Sequence, residues 1–358
     1  MRGAVGGRLL RAVVIGLVLV TSACSGGSDD DAAGGLDEEF RSTPGERSMQ
    51  IEGAGKLRLG ATLAIPQGAQ GAVPGVLIIP APGDTDRNGP LIMRPPDKLY
   101  QELSGTLTAA GMATLRYDHR GIGESQLDRD QELTWDDMVG DAREALAFMA
   151  QRREIDGNRL AIVAHDAAGA IALKLAAADP KVKSVALISA PGRPLGEVWT
   201  DRWRGTYGQA SADAFKVVLD RLLTTGSLPP RSEVPPEFQS VLPPGRDGFF
   251  KGLFSMDPLA DAAAVKVPVL VVIGERSVSV TQADASRLTA ALGGRSEVVV
   301  APNSSTTLQH VLPTPVRAFD PNNHDLHGLG PPVADAPRDT GTMTKIVTFV
   351  ATAVGAAA

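Results

Sequence analysis

The stretch Ile162-Val163-Ala164-His165-Asp166-Ala167-Ala168-Gly169 decides how the whole chain is read. Its first half ends a strand-like segment at 159–164, apolar from Leu160 on and of the length of a buried strand. Its second half opens an Ala-rich helical stretch, about 167–178, stopped by Asp179-Pro180. A strand that turns so sharply into a helix is the repeating unit of an α/β sheet.

The flanking sequence repeats that unit. On the N-terminal side, 49–51 and 57–65 read as an antiparallel pair of strands, 75–79 and 112–117 as further strands, and 99–110 and 135–151 as helices. The second of these helices carries Met138, Ala142, Ala145, Leu146 and Met149 at helical spacing. On the C-terminal side, strands are expected at 185–189, 267–273 and 296–300, with helices at 211–223 and 342–354. A Pro- and Gly-rich segment at about 194–264 breaks the rhythm and reads as a helical cap inserted over one end of the sheet. Pockets of open α/β sheets lie at the carboxyl ends of the strands, so such a cap would roof one. The expected fold class is therefore α/β, a mostly parallel central sheet with helices on both faces and an inserted cap.

Composition narrows the functional classes. The chain has 358 residues, 43% of them hydrophobic and 21% charged, which suits a globular protein and excludes wholesale disorder or a multispan membrane protein. Lys and Arg number 35 against 41 Asp and Glu, and no basic cluster would neutralise a phosphate backbone, so nucleic acid is not an expected partner.

The lone cysteine cannot form an intrachain disulfide, and its position suggests another role. Arg2, Arg8 and Arg11 precede an apolar run at 12–20, then Thr21-Ser22-Ala23-Cys24, then a Gly-, Ser- and Asp-rich stretch. The run is too short to span a bilayer and has the length of a signal-peptide core. The order resembles a bacterial lipoprotein signal, with Thr21 in place of the commoner Leu or Val. The resemblance implies a signal peptide at 1–23, acylation of Cys24, a flexible tether at 24–47 and a folded domain at 48–358, held at the extracytoplasmic face of a cell membrane. Two acyl chains suffice for stable anchoring. Loss of the signal would take the formal charge from −6 to −9.

Within the domain, five segments carry a second resemblance. They are Pro80-Ala81-Pro82-Gly83-Asp84-Thr85-Asp86-Arg87-Asn88-Gly89; Arg116-Tyr117-Asp118-His119-Arg120-Gly121-Ile122-Gly123-Glu124-Ser125; the turn around Asp166; Ser189-Ala190-Pro191-Gly192-Arg193-Pro194-Leu195; and Met256-Asp257-Pro258. In this order they resemble the α/β-hydrolase superfamily, in particular its bacterial serine esterases and aminopeptidase-like hydrolases. The resemblance implies an oxyanion loop at Pro82 and Gly83, with Asp86, Arg87, His165 and Ala167 beside it as binding positions. Asp86, Arg87 and Asn88 are expected to fix their loop, and Arg116 to pair with Asp118.

The catalytic positions depart from that pattern. The elbow of a serine hydrolase is G-x-S-x-G, whose strained turn exposes a hydroxyl nucleophile. Here the small neighbours Ala164, Ala168 and Gly169 remain, but Asp166 stands at the nucleophile position. After the strand at 267–273, Ser277 replaces the acid, with Glu275 as an alternative carboxylate pointing elsewhere. After the last strand, Thr306 falls at the histidine position, and a threonine is no base at neutral pH. Pro82 stands where an oxyanion loop would offer an N–H, and proline has none.

An aspartate at the elbow also resembles haloalkane dehalogenases and epoxide hydrolases, where it attacks an sp³ carbon and a histidine activates water to release the product. His310 is the substitute base such a mechanism would need. Ala167 takes the place of their halide-binding tryptophan. His324, Asp325 and His327 share a short spacing but sit among Asn and Gly, and no third-ligand motif accompanies them, so no metal and no cofactor is expected. The sequence thus points to a lipid-anchored, degenerate hydrolase that binds a small or lipid-like molecule or an envelope protein partner. The alternative is an active hydrolase using Asp166.

Overall fold

A computed structural model of the chain describes residues 45–83, 85–91, 97–128, 132–311 and 336–356. Cys24, the tether as far as residue 44 and the group His324, Asp325 and His327 lie outside them, whereas Glu46 and Arg47, expected at the end of the tether, already belong to the first strand.

The strands are β1 (Glu46–Glu52), β2 (Arg58–Ala64), β3 (Val73–Ile79), β4 (Ala113–Tyr117), β5 (Ile155–His165), β6 (Val182–Ile188), β7 (Val269–Gly274) and β8 (Ser296–Ala301). They form one sheet in the order β1-β2-β4-β3-β5-β6-β7-β8. β1 and β2 are antiparallel and β2 runs antiparallel to β4; every other pairing is parallel. The central strands are buried on both faces, which accounts for their unbroken Val, Ile, Leu and Ala runs.

Strand alternation divides the core in two. Val76, Ile78, Val163, Ile188 and Val272 pack with α1 (Leu99–Ala109) and α9 (Thr340–Val354) on one face. Leu77, Ile79, Ile162, Leu187 and Val271 pack on the other with α2 (Trp135–Ala150), α3 (Ala168–Ala178) and α8 (Gln282–Leu292). Thr134 starts α2 through a capping box with Asp137.

Between β6 and β7 the chain forms α4 (Leu195–Tyr207), α5 (Gln209–Thr225), α6 (Asp247–Ser255) and α7 (Pro258–Ala264). Trp199, Trp203, Phe215, Phe238 and Phe254 make a web of edge-on and stacked ring contacts that joins α4, α5 and α6. α7 packs instead against α3 and α8. The scarce aromatic residues are thus concentrated where helices must pack without a sheet beneath them.

Two details differ from the sequence reading. α8 is not anticipated there, although a parallel β7–β8 pair demands a crossover and Thr281 with Asp284 forms a capping box at its start. Arg116 and Asp118 do not pair. Arg116 donates across the sheet to Glu46 at 2.8 Å, while Asp118, in the turn after β4, accepts from the Arg87 backbone at 2.8 Å and its guanidinium at 2.9 Å. β4 ends at Tyr117, so the turn re-aims Asp118 away from its neighbour two residues back.

Candidate active site at the carboxyl ends of the strands

Asp166 sits between the end of β5 and the start of α3 with φ +55°, a left-handed conformation that is rare for a residue with a side chain and is the backbone mark of a strained elbow. The turn closes because its neighbours are small. A Cβ on Gly169 would lie 2.6 Å from the Cβ of Ala190, so a larger residue there would push α3 off the loop after β6.

Asp166 opens onto a cavity of about 280 Å³ between the strand ends and the helices α4 and α6. Pro82, Gly83, His119 and Thr306 line it from the sheet side, and Val198, Trp199, Arg202, Arg246, Phe250 and Leu253 from the other. That volume is near the lower end of small-molecule sites, typically a few hundred Å³.

The electrostatics at the elbow follow from this enclosure. Burial pushes the Asp166 carboxyl up to about 6, opposed by the positive charge of Arg202 and by a hydrogen bond with the backbone of Ala167. Pro82 lines the cavity at the donor position expected of the oxyanion loop without an N–H to offer.

Each of the sequence-derived site residues has a definite place. Thr306 reaches the cavity beside Asp166, and its carbonyl accepts from the His165 ring at 3.1 Å and from Ser189 at 2.9 Å. Ser277 and Glu275 do not line the cavity. Ser277 closes a turn onto Gly274, and exposed Glu275 accepts from the Asn303 backbone at 2.7 Å. His310 is not brought to Asp166. Its backbone N–H donates to the Pro337 carbonyl at 3.1 Å, on the loop that leads to α9.

Of the expected binding positions, Pro82, Gly83 and Ala167 face the cavity, whereas Asp86, Arg87 and His165 do not. Asp86 accepts from the backbones of Asn88 and Gly89 at 2.7 and 2.9 Å. Arg87 bridges Asp118 and Glu124. His165 turns away because strand alternation sends residue 165 to the face opposite Asp166's neighbours, where Tyr100 waits. The Tyr100 hydroxyl accepts from the Ala81 backbone at 3.0 Å and donates to Nδ1 of His165 at 2.8 Å, and Nε2 of His165 donates to Thr306. This chain of bonds ties the loop after β3, the elbow and the Thr306 loop together.

His119 is the imidazole that lines the cavity. Its Nε2 donates to the Pro80 carbonyl at 2.9 Å, which assigns the lone pair to Nδ1. Burial lowers both His119 and His165 to about 4, so both rings are neutral at physiological pH. Sequence reasoning placed His119 only in a motif turn and missed Tyr100, Arg202 and Ser279. His119 directly follows a strand's carboxyl end, which was a usable signal; the cap residues offered none. Among the described residues no group of three His, Cys, Asp or Glu side chains is arranged to hold a metal ion.

Comparison with known proteins agrees with this geometry. The serine aminopeptidase S33 family matches residues 97–224. Esterase EstD of Thermotoga maritima is 27% identical over 66% of this chain and 54% of its own, so the chain spans about half the length of that relative. The esterase domain of a Rhodothermus marinus protein superposes with a TM-score of 0.51 at 16% identity, covering 87% of this chain and 99% of that one. The α/β hydrolase GrgF from Penicillium sp. sh18 gives 0.55 at 13% identity, covering 87% and 99%. The elbow, the sheet order and these likenesses together show the α/β-hydrolase fold, with sequence similarity to its esterases and serine aminopeptidases.

Proposed function

We propose that this chain is a catalytically degenerate member of its superfamily that holds a small or lipid-like ligand in the cavity under α4 and α6. It does so at the extracytoplasmic face of a membrane, anchored through lipidated Cys24. The observation that carries the reading is the state of the oxyanion site. Pro82, on the cavity wall, has no N–H to give to a developing oxyanion.

Loss of one oxyanion donor alone typically costs about 10²–10³ in rate. The residue at the base position, Thr306, cannot take a proton at neutral pH, and a cavity imidazole that protonates only near pH 4 is a weak general base. Arg202 supports the same reading, because a guanidinium acting on the elbow carboxylate stabilises it as an anion and lowers its nucleophilicity.

Similarity to esterases favours a second reading, residual hydrolysis through Asp166. One experiment separates the two. The purified chain is incubated with p-nitrophenyl esters, haloalkanes and epoxides, and its mass is followed for an adduct on Asp166. The expected result is no turnover and no adduct. Turnover that Asp166→Ala abolishes overturns the non-catalytic reading. An envelope protein partner would co-purify with the detergent-extracted chain.

A further inference from the structure

The side of α6 that lines the cavity has an order of its own. Arg246, at the helix N-cap, is followed by Phe249, Phe250 and Leu253, and all four are cavity residues. Their spacing is i, i+3, i+4 and i+7, which is one face of a helix. A guanidinium therefore heads an apolar stripe, with Trp199 of α4 on the same cavity.

The charges around the cavity do not cancel. Among the described residues that line it, Arg120, Arg202 and Arg246 stand against one carboxylate, Asp166. Arg120 is committed outside the cavity, to Asp141 at 2.6 Å and Asp137 at 3.2 Å. Arg202 acts on Asp166, so these two offset each other at the elbow. The ring of His119 is neutral. Arg246 remains. It is only half-buried, and among the described residues its side chain has neither an ion pair nor a hydrogen bond. Glu132 and Asp247 are at the same helix start, but Glu132 accepts from the Gly248 N–H at 2.5 Å and neither pairs with the guanidinium. A positive charge left over beside an apolar wall favours a ligand that brings the opposite charge together with apolar surface.

We infer that the cavity takes a medium-chain anionic amphiphile, a monocarboxylate whose head pairs with Arg246 and whose alkyl chain lies along Phe249, Phe250 and Leu253 and against Trp199. This rests on the ligand-binding reading above and deepens it. From Arg246 to Leu253 a helix rises about 10 Å, a length that an extended chain of roughly eight carbons matches. The planar fork of a guanidinium takes both oxygens of a carboxylate. Such an acid reaches a protein either free in solution or out of a bilayer.

The test titrates octanoate, with octanol and octylamine as neutral and cationic counterparts of the same length, into the full chain carrying Cys24→Ser, which keeps acyl chains and detergent out of the calorimeter. The expected result is that octanoate binds about tenfold or more tightly than either counterpart, a difference within reach of one charge-assisted pair. Affinity should rise from butanoate to octanoate and gain little more at dodecanoate, where the stripe ends. Binding of the free acid assigns a soluble source; binding only when the acid is carried in phosphatidylcholine vesicles assigns a membrane source.

Arg246→Gln is expected to weaken octanoate binding about tenfold, leave octanol binding within about twofold, and leave the melting temperature of the empty protein unchanged, while Arg246→Lys restores part of the loss. A merely structural role for Arg246 would lower that temperature and weaken octanol equally. Octanol or octylamine binding as tightly as octanoate, or octanoate binding that Arg246→Gln leaves unchanged, overturns the inference and spares the ligand-binding reading. No binding of any of the three, free or in vesicles, overturns both.

Discussion

Replacing Asp166 by Asn should make the protein more stable above pH 6 and not below pH 4. In the unfolded chain this carboxyl ionises near 3.8; in the folded chain burial holds its proton to about 6. At pH 3.8 the unfolded carboxyl is only half ionised and the folded one keeps its proton, so the residue's effect is only about 0.4 kcal/mol. As pH rises from 4 to 6 the unfolded chain releases its proton first, so folding stability falls, and above 6 the loss is constant. The gap corresponds to up to about 3 kcal/mol at pH 7.5, already net of the attraction from Arg202. Asn has nearly the shape of Asp and tolerates the positive φ at this turn. The half-exposed Arg202 can turn to solvent. For a chain of this size the gain is roughly 4–5 °C in Tm. Thermal unfolding of both proteins at pH 3.8 and pH 7.5 measures it. Equal shifts at the two pH values, or a less stable variant at pH 7.5, would refute the reasoning. If the gain is found, the aspartate is retained against its own cost in stability, as groups kept for function often are.

Asp166→Ser should yield no esterase activity toward p-nitrophenyl esters, because Thr306 remains at the base position and Pro82 at the oxyanion; activity above background would show that another group serves as base. Arg338→Ala leaves Asp97, whose side chain is fully buried, without its ion pair and should cost about 3–5 kcal/mol in urea unfolding, whereas an Arg338→Met, Asp97→Leu double variant should lose less. Gly274→Ala would place a Cβ 2.0 Å from the Ser305 carbonyl and 2.5 Å from that of Ser304, displacing the loop that carries Thr306. Ligand affinity in that variant should fall more than tenfold while the far-ultraviolet circular dichroism stays near wild type, a loss above ~1.4 kcal/mol. Cys24→Ser should move the protein from the membrane fraction to the soluble one, read by cell fractionation; continued membrane association would refute acyl anchoring.

Sheet and elbow were legible in the sequence because their signals are local. A buried parallel strand must be apolar on both faces, and the turn at Asp166 needs small residues at fixed offsets, so 162–169 carries both facts in eight residues. The same locality placed Thr306 on the cavity, since the length of the loop after β8 is set by where that strand ends. Where the rule required two distant segments to meet, the sequence was silent or misleading. Arg116 finds Glu46 across two strands rather than Asp118 beside it, and His310, close in number to the required position, belongs to the loop beside Asp339.

What the sequence by itself determined is the scaffold and the identities of the residues, Asp166 and Thr306 among them, at the ends of its strands, because periodicity and residue identity are properties of neighbours along the chain. What only the tertiary structure decided is the lining of the cavity: that the neutral ring of His119 joins it from the end of β4, and that Arg202 arrives from α4 with its positive charge acting on Asp166. Those facts depend on how helices and loops far apart in sequence converge over the ends of the strands, and packing between such segments leaves no periodic trace in either one.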